Sequence, residues 1–230
     1  MRIAQISDVH YAEYTEGFFL RDVVNHVNRL KPDMVVMTGD FITYAPMPYS
    51  FARRQMPECA EILRGIECPL TYASLGNHDC TVGAQWVIGP LADHRIPTLF
   101  NQAVPLERDG QRLWLVGTGS VCTGDSDPKK AFPKAVANGR EPAILLAHEP
   151  DILPELSRYN PDLMLSGHTH GGQVRLPFLP PLNLPQYGRD YVEGWFHHGP
   201  TQLYVNRGIG AVGVPFRLNC PPEITLFILA

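Results

Sequence analysis

Two histidines stand one residue apart in Gly167-His168-Thr169-His170-Gly171-Gly172, directly after the apolar run Leu163-Met164-Leu165. This pattern reads as a buried strand that stops at a tight loop poor in side chains, with two imidazoles at its tip. Imidazoles placed in this way are suited to holding a metal ion. Four more apolar runs end in residues of metal-ligand type: Asp8 and His10; Asp40; Asn77, His78 and Asp79; and His148. The set offers seven or eight nitrogen and oxygen donors and no thiolate. That is too many for one tetrahedral ion and suits two ions that share a carboxylate.

Taken singly, each piece has a plainer reading. Gly39-Asp40 fits a turn or helix cap, Gly76-Asn77-His78-Asp79 fits a turn, and His148 fits a satisfied buried histidine. Five such clusters, each at the end of an apolar run, are not what turns give by chance.

The elements that must position these groups alternate between strand and helix. Ile3–Ile6 reads as a strand, Phe18–Leu30 as an amphipathic helix closed by Pro32, and Met34–Thr38 as a strand of the parallel, doubly covered kind. The cycle repeats with a helix over Tyr49–Leu63, a strand over Leu70–Leu75 and a helix over Ala84–His94, followed by a short strand over Thr98–Phe100. Asp109-Gly110 is a hairpin turn between Val104–Leu106 and Leu113–Val116. Strands at Ala143–Ala147 and Leu163–Leu165 flank a short helix over Ile152–Ser157. The prolines of Leu176–Gln186 make a long loop, with final strands at Leu203–Val205 and Thr225–Leu229. The alternation predicts an α/β fold with one large sheet or two, covered by helices, and no linker divides residues 1–230 into domains. Loops at the carboxyl ends of strands are where such folds place ligands, so the five clusters are expected in one crevice.

With 230 residues and 44% hydrophobic residues, the chain can build a sizeable core. Its net charge of −4 gives no basic footprint for nucleic acid. The five cysteines are odd in number and scattered, which predicts free thiols in a reducing compartment. The start of the chain carries no export-signal pattern, and no apolar run approaches the ~18 residues of a membrane helix. The expected location is the cytoplasm, with peripheral membrane contact and oligomeric state left open.

The motifs D-x-H (Asp8, His10), G-D (Asp40), G-N-H-D (Asn77 to Asp79), H (His148) and G-H-x-H (His168, His170) occur in the order found in the calcineurin-like metallophosphoesterases, which the chain resembles. The resemblance implies a four-layer α/β/β/α sandwich with a dinuclear centre between the sheet edges. It implies that one divalent ion takes Asp8, His10 and His170, the second takes Asn77, His148 and His168, and Asp40 bridges them. The ions would be Mn, Fe or Zn, among which the donor types do not choose. The tail segments GHTHGGQVRLP, YVNRGIG and NCPPEI resemble a bacterial subgroup of small phosphoesterases related to YkuE.

Two such ions roughly 3.5–4 Å apart clamp a phosphoryl group and activate a shared water. The expected reaction is in-line attack of that hydroxide on phosphorus, most simply in a phosphodiester. Phosphomonoesters and lipid or nucleotide-sugar pyrophosphates remain alternatives, as does a non-catalytic scaffold that kept the fold. His78, beside Asn77, is expected to protonate the leaving oxygen or stabilise the transition state. Asp79 reads equally as an orienting partner or as a helix cap. Arg175, Arg207 and Arg217 are candidate phosphate donors, with a structural role as the alternative. The glycines Gly171, Gly172, Gly208 and Gly210 read as backbone turns, and Cys80 has no catalytic task when water is the nucleophile. The expected partner is a small phosphate ester or phospholipid-like substrate. The Pro- and Leu-rich stretch Leu176–Leu184, with Tyr187, Tyr191, Trp195 and Phe196, is a candidate apolar substrate groove or simply a cover for a sheet edge.

Overall fold

A computed structural model describes residues 1–229 apart from 12–13, 45–47, 109 and 182. Strands β1 (Arg2–Ile6), β2 (Met34–Thr38) and β3 (Thr71–Ser74) run parallel, joined by helices α1 (Gly17–Leu30) and α2 (Tyr49–Leu63). All five residues of β2 are buried, as an apolar strand covered on both faces requires. Helix α1 buries Leu20, Val23, Val24 and Val27 along one stripe and stops at Lys31, whose left-handed backbone (φ 48°) precedes Pro32.

Asn77–Val82 then forms a short helix, α3, and Gln85–Asp93 forms α4. The chain continues through β4 (Gln102–Arg108), β5 (Gln111–Gly117), the one-turn helices α5 (Pro128–Ala131) and α6 (Lys134–Ala137), and β6 (Ala143–Leu146). It ends with α7 (Leu153–Leu156), β7 (Leu163–Ser166), β8 (Gly194–His198), β9 (Thr201–Val205) and β10 (Thr225–Ile228).

The strands form two sheets, in the orders β10-β1-β2-β3 and β4-β5-β6-β7-β9-β8. Ile3, Met34 and Val36 of the first sheet pack with Leu115, Ile144 and Leu165 of the second, in the core between them. A second core lies between β1–β3 and helices α1, α2 and α4, and a third between β5–β9 and the segment containing α5 to α7. This is the four-layer α/β/β/α sandwich. Parallel strands make the middle of each sheet, so their carboxyl ends share one edge. The last strand, β10, crosses back to pair with β1, Arg2 facing Ile228.

Two local points differ from the sequence reading. Thr98–Phe100 is not a strand: a single bridge, Ala73 to Thr98, forms before the chain turns at Asn101 (φ 54°). Gly194–His198 is a strand that the sequence reading did not mark, and it pairs with β9 as the sheet edge. Its Trp195 packs on Tyr204 and Phe227, and Phe196 on Tyr191, so those aromatics brace the sheet edge. In the expected hairpin, β4 and β5 pair from Gln102–Gly117 to Arg108–Gln111, while Asp109 of its turn lies outside the described residues. Leu176–Gln186 carries no strand or helix among its described residues, Leu182 lying outside them. The cysteines, all described, are free, and no described helix is long and apolar enough to cross a membrane.

Candidate metal centre

The five clusters converge. β1 delivers Asp8 and His10, β2 delivers Asp40, β3 leads into Asn77 and His78, β6 delivers His148, and β7 delivers His168 and His170. The side chains of Asp8, His10 and His148 are fully or almost fully buried, and Asp40, His168 and His170 are no more than 6% exposed. Their donor atoms gather in two groups that could each hold a cation: Asp8, His10 and His170, and Asp40, His148 and His168. His10, Asp40 and His78 make a third close group between them.

Backbone strain puts the donors there. Asp8 (φ 53°), His10 (φ 46°), Asp40 (φ 56°), His168 (φ 74°) and His170 (φ 53°) all adopt the left-handed region that non-glycine residues avoid. Such a concentration persists only where surrounding contacts impose it, and it marks functional sites. Two glycines allow the close approach. A Cβ at Gly167 would meet Ser7 Oγ at 2.0 Å and Asp8 Oδ2 at 2.2 Å, and one at Gly76 would meet Asp40 Oδ1 at 2.1 Å.

Each ring nitrogen that does not face the centre has a partner. His148 Nδ1 donates to Thr38 O at 2.6 Å, which turns Nε2 toward the Asp40 carboxylate. His168 Nε2 donates to Gln186 O at 2.7 Å, which leaves Nδ1. His10 Nδ1 meets Thr43 Oγ1 at 2.8 Å, and its Nε2 lies 3.0 Å from His170 Nε2. These outer partners fix ring orientation and tautomer, as they do around bound metals. His170 is different: Arg217 Nη2 donates to its Nδ1 at 3.2 Å, which puts the proton of the neutral ring on Nε2, whereas a ring holding a cation through Nε2 would carry that proton on Nδ1.

Asp40 sits at the junction of the two groups. Its Oδ2 lies 3.1 Å from His148 Nε2 and 3.6 Å from His10 Nε2, and its Oδ1 accepts from His78 N at 2.9 Å. Asp8 Oδ1 accepts from His168 N at 2.9 Å and stands 3.4 Å from His170 Nε2. Burial pushes His10, His168 and His170 below the ordinary imidazole range, His170 to about 4, so these rings stay neutral as metal ligands require. Burial acts the same way on His148, but the adjacent Asp40 carboxylate overrides it and raises this ring.

The residues fit a pair of divalent cations. Asn77 Oδ1 is buried without a hydrogen-bond partner among the described residues, a costly arrangement that a cation relieves. The donors are imidazole nitrogens and carboxylate oxygens, types that such cations accept.

Residues 1–172 match the calcineurin-like phosphoesterase family. The chain belongs to that family. It is 35% identical to the uncharacterized metallophosphoesterase YkuE of Bacillus subtilis, over 99% of this chain and 78% of that one. It is also 35% identical to phosphodiesterase YaeI of Escherichia coli, over 99% and 82% of the two chains. The UDP-2,3-diacylglucosamine pyrophosphatase LpxG of Chlamydia muridarum is 30% identical over 98% of this chain and 82% of its own. Among solved structures, the fold is similar to TT1561 of Thermus thermophilus (TM-score 0.56, 15% identity, 90% and 89% of the chains). It is similar too to an archaeal phosphodiesterase (TM-score 0.53, 12% identity, 99% and 93%). The chain is thus a phosphoesterase of the dimetal type, and its clustered histidines and aspartates point to a dinuclear metal centre.

The three candidate arginines lie elsewhere than on the cleft above the centre. Arg175 pairs with Glu193, and Arg207 Nε meets Glu223 at 2.7 Å. Arg217 donates to the carbonyls of Gly210 (2.8 Å), Arg207 (2.8 Å) and His170 (3.2 Å), which makes it a clamp on main chain. Gly171 and Gly172 form a one-turn bend with positive φ, as their reading as turns requires. Burial pushes the Cys80 thiol up, which keeps it protonated and unreactive.

Several participants were not singled out from sequence. Thr38, Thr43 and Gln186 orient rings from outside, and no motif marks them. Glu149, fully buried beside His148, accepts from Ser120 Oγ and ties the loop after β5 to the site. A buried acid next to a candidate ligand was the one available signal.

Proposed function

We propose that the chain is a phosphodiesterase in which Asp8, His10 and His170 hold one divalent cation, Asn77, His148 and His168 hold a second, and Asp40 bridges both. The observation that carries this reading is the place of Asp40 Oδ2, 3.1 Å from a nitrogen of one group and 3.6 Å from a nitrogen of the other. When bound, the cations supply positive charge to the phosphoryl oxygens and to the attacking water. Mn, Fe and Zn all suit this donor set.

The chain's own residues supply the rest. His78 lines the cleft, and its Nδ1 accepts the Tyr44 N–H at 3.3 Å, so a neutral ring presents Nε2–H. Burial holds His78 below the ordinary imidazole range, so the ring is neutral near pH 7. From the edge of the centre its Nε2–H is placed to hydrogen-bond the leaving oxygen and stabilise the charge that builds there as the P–O bond breaks. Asp40 orients that residue too, through the bond from His78 N.

The names of the relatives YaeI and LpxG, a phosphodiesterase and a pyrophosphatase, support a substrate with phosphorus linked on two sides. The test is hydrolysis of bis-p-nitrophenyl phosphate against p-nitrophenyl phosphate, with metal counted on the same preparation. Two metals per chain and a diester preference are expected. One metal per chain, or activity on neither ester, rejects the reading.

A further inference from the structure

The cleft over the metal centre measures about 670 Å³, in the range of pockets that enclose drug-sized molecules and far beyond the needs of one phosphate. Its sides differ in chemistry. His78, Thr81 and Thr123 present polar groups, whereas Val174, Val212, Val214 and Phe216 make an apolar wall. Val214 is 40% exposed and Phe216 54%, so this wall gives its apolar surface to the open cleft and not to a core.

One side chain holds that wall in place. Gln173 directly follows the metal-bearing His168–Gly172 loop and is only 7% exposed. Its Nε2 donates to the carbonyls of Val212 (3.1 Å), Val214 (3.1 Å) and Phe216 (3.3 Å). Its Oε1 accepts from Val212 N at 2.9 Å, and its own carbonyl accepts from Leu218 N at 3.0 Å. The residue sits at φ 49°, another left-handed position that only such contacts maintain. Metal loop and apolar wall are therefore fastened together by a saturated amide. The apolar surface continues outward, because Arg175 N bonds Leu218 O at 2.9 Å and brings exposed Leu218 and Leu176 to the same edge.

We propose that Val174, Val212, Val214 and Phe216 form a subsite for the alkyl or acyl chain of a phosphodiester, with Gln173 as the residue that positions it. The proposal rests on the phosphodiesterase reading. The wall is mainly aliphatic and uncharged, which suits a hydrocarbon chain better than a nucleobase, whose polar edges want partners. It adjoins the ligand loop, so a chain lying along it keeps its phosphorus at the centre. The aromatic stretch of β8 plays no part.

Methyl, butyl and octyl p-nitrophenyl phosphates test this on the metal-loaded protein. The expected result is a rise in kcat/KM of at least about tenfold from methyl to octyl, carried by KM. The octyl-to-methyl ratio should fall toward one in Phe216→Ser and Val214→Ser, which alter exposed side chains. Gln173→Glu keeps the shape but loses the three donated bonds, and should lower the ratio as Gln173→Ala does. Calorimetry of octylphosphonate against methylphosphonate reads the subsite without turnover, with at least about tenfold tighter octyl binding expected. Equal affinities, or a flat ester series, overturn the subsite and leave the phosphodiesterase reading intact. Thymidine 5′-p-nitrophenyl phosphate with a lower KM than the octyl ester overturns it in favour of a nucleotide. Failure to cleave any ester rejects the phosphodiesterase reading, while the phosphonates still decide the subsite.

Discussion

The Asp79 carboxylate accepts the backbone N–H of Asp40 at 2.8 Å, and through that bond the helix after β3 grips the loop after β2. The same side chain accepts from Phe41 N at 2.9 Å and from Gly76 N, the residue that opens its own helix, at 3.0 Å. Asp79 is not the N-cap suggested from sequence, a place Gly76 takes; from the third position of α3 it closes back on the Gly76 N–H and also holds the backbone of Asp40. Burial, with the Asp40 charge next, pushes its carboxyl up to about 7.

Replacing Asp79 by alanine strips buried N–H groups on two loops of their acceptor. A loss of about 3 kcal/mol in unfolding free energy is expected, since one unsatisfied buried donor costs roughly 1–3 kcal/mol. Metal content should fall with it. Urea melts and elemental analysis on Asp79→Ala and Asp79→Asn measure both, and wild-type metal content in the alanine variant would refute the orienting role.

Asp40→Asn leaves an oxygen in place but removes the charge that two cations share. Fewer than two metals per chain are expected at metal concentrations that saturate the wild type. Full occupancy would falsify the bridging assignment.

His78→Ala should keep both metals and lose about 10²–10³-fold in turnover, the usual worth of one donor to a developing oxyanion. The loss should be larger for an alkoxide leaving group than for p-nitrophenolate, whose charge is already spread over the ring. An equal loss for both leaving groups would refute a contact between His78 and the leaving oxygen.

Arg217→Met removes a cation that bonds four carbonyls around the His170 loop. A destabilisation of about 2–4 kcal/mol is expected from the stranded acceptors, with weaker metal binding as the loop loosens. Thermal melts with and without added metal separate the two effects, and an unchanged melt excludes the clamp.

Glu223 ties β9 to the tail, accepting from Arg207 Nε at 2.7 Å, from Thr225 Oγ1 at 2.7 Å and from the Tyr204 hydroxyl. Burial pushes its carboxyl up, but the bonds from Thr225, Tyr204 and Arg207 outweigh burial and hold it below its ordinary 4.5. A depressed carboxyl stabilises the fold above its unfolded pKa and loses that contribution as pH falls through the folded value. The stability gap between wild type and Glu223→Gln should therefore be full near pH 6 and close progressively below about pH 4.5. A gap that stayed constant into acid would exclude the ionised pair as its source.

The amino-acid sequence by itself determined the donor set and its carriers. Asp8, Asp40, Asn77, His148 and His168 could be read because each follows an apolar run, and parallel strands bring their carboxyl ends to one edge. The helix at Tyr49–Leu63 and the strand at Met34–Thr38 fall where the sequence placed them, the strand because a short unbroken apolar run suits burial on both faces. Only the tertiary structure decided how the donors are used. His148 is oriented by a carbonyl 110 residues away, and Asp8 is held by an amide 160 residues away. Such pairings leave no trace in local spacing. The same holds for the left-handed backbone of five candidate ligands, since strain of that kind is imposed by neighbours and not by residue type. Gln173 reads as loop in the sequence, and only the return of residues 212–216 across it makes one amide the fastening between the metal loop and the wall of the cleft.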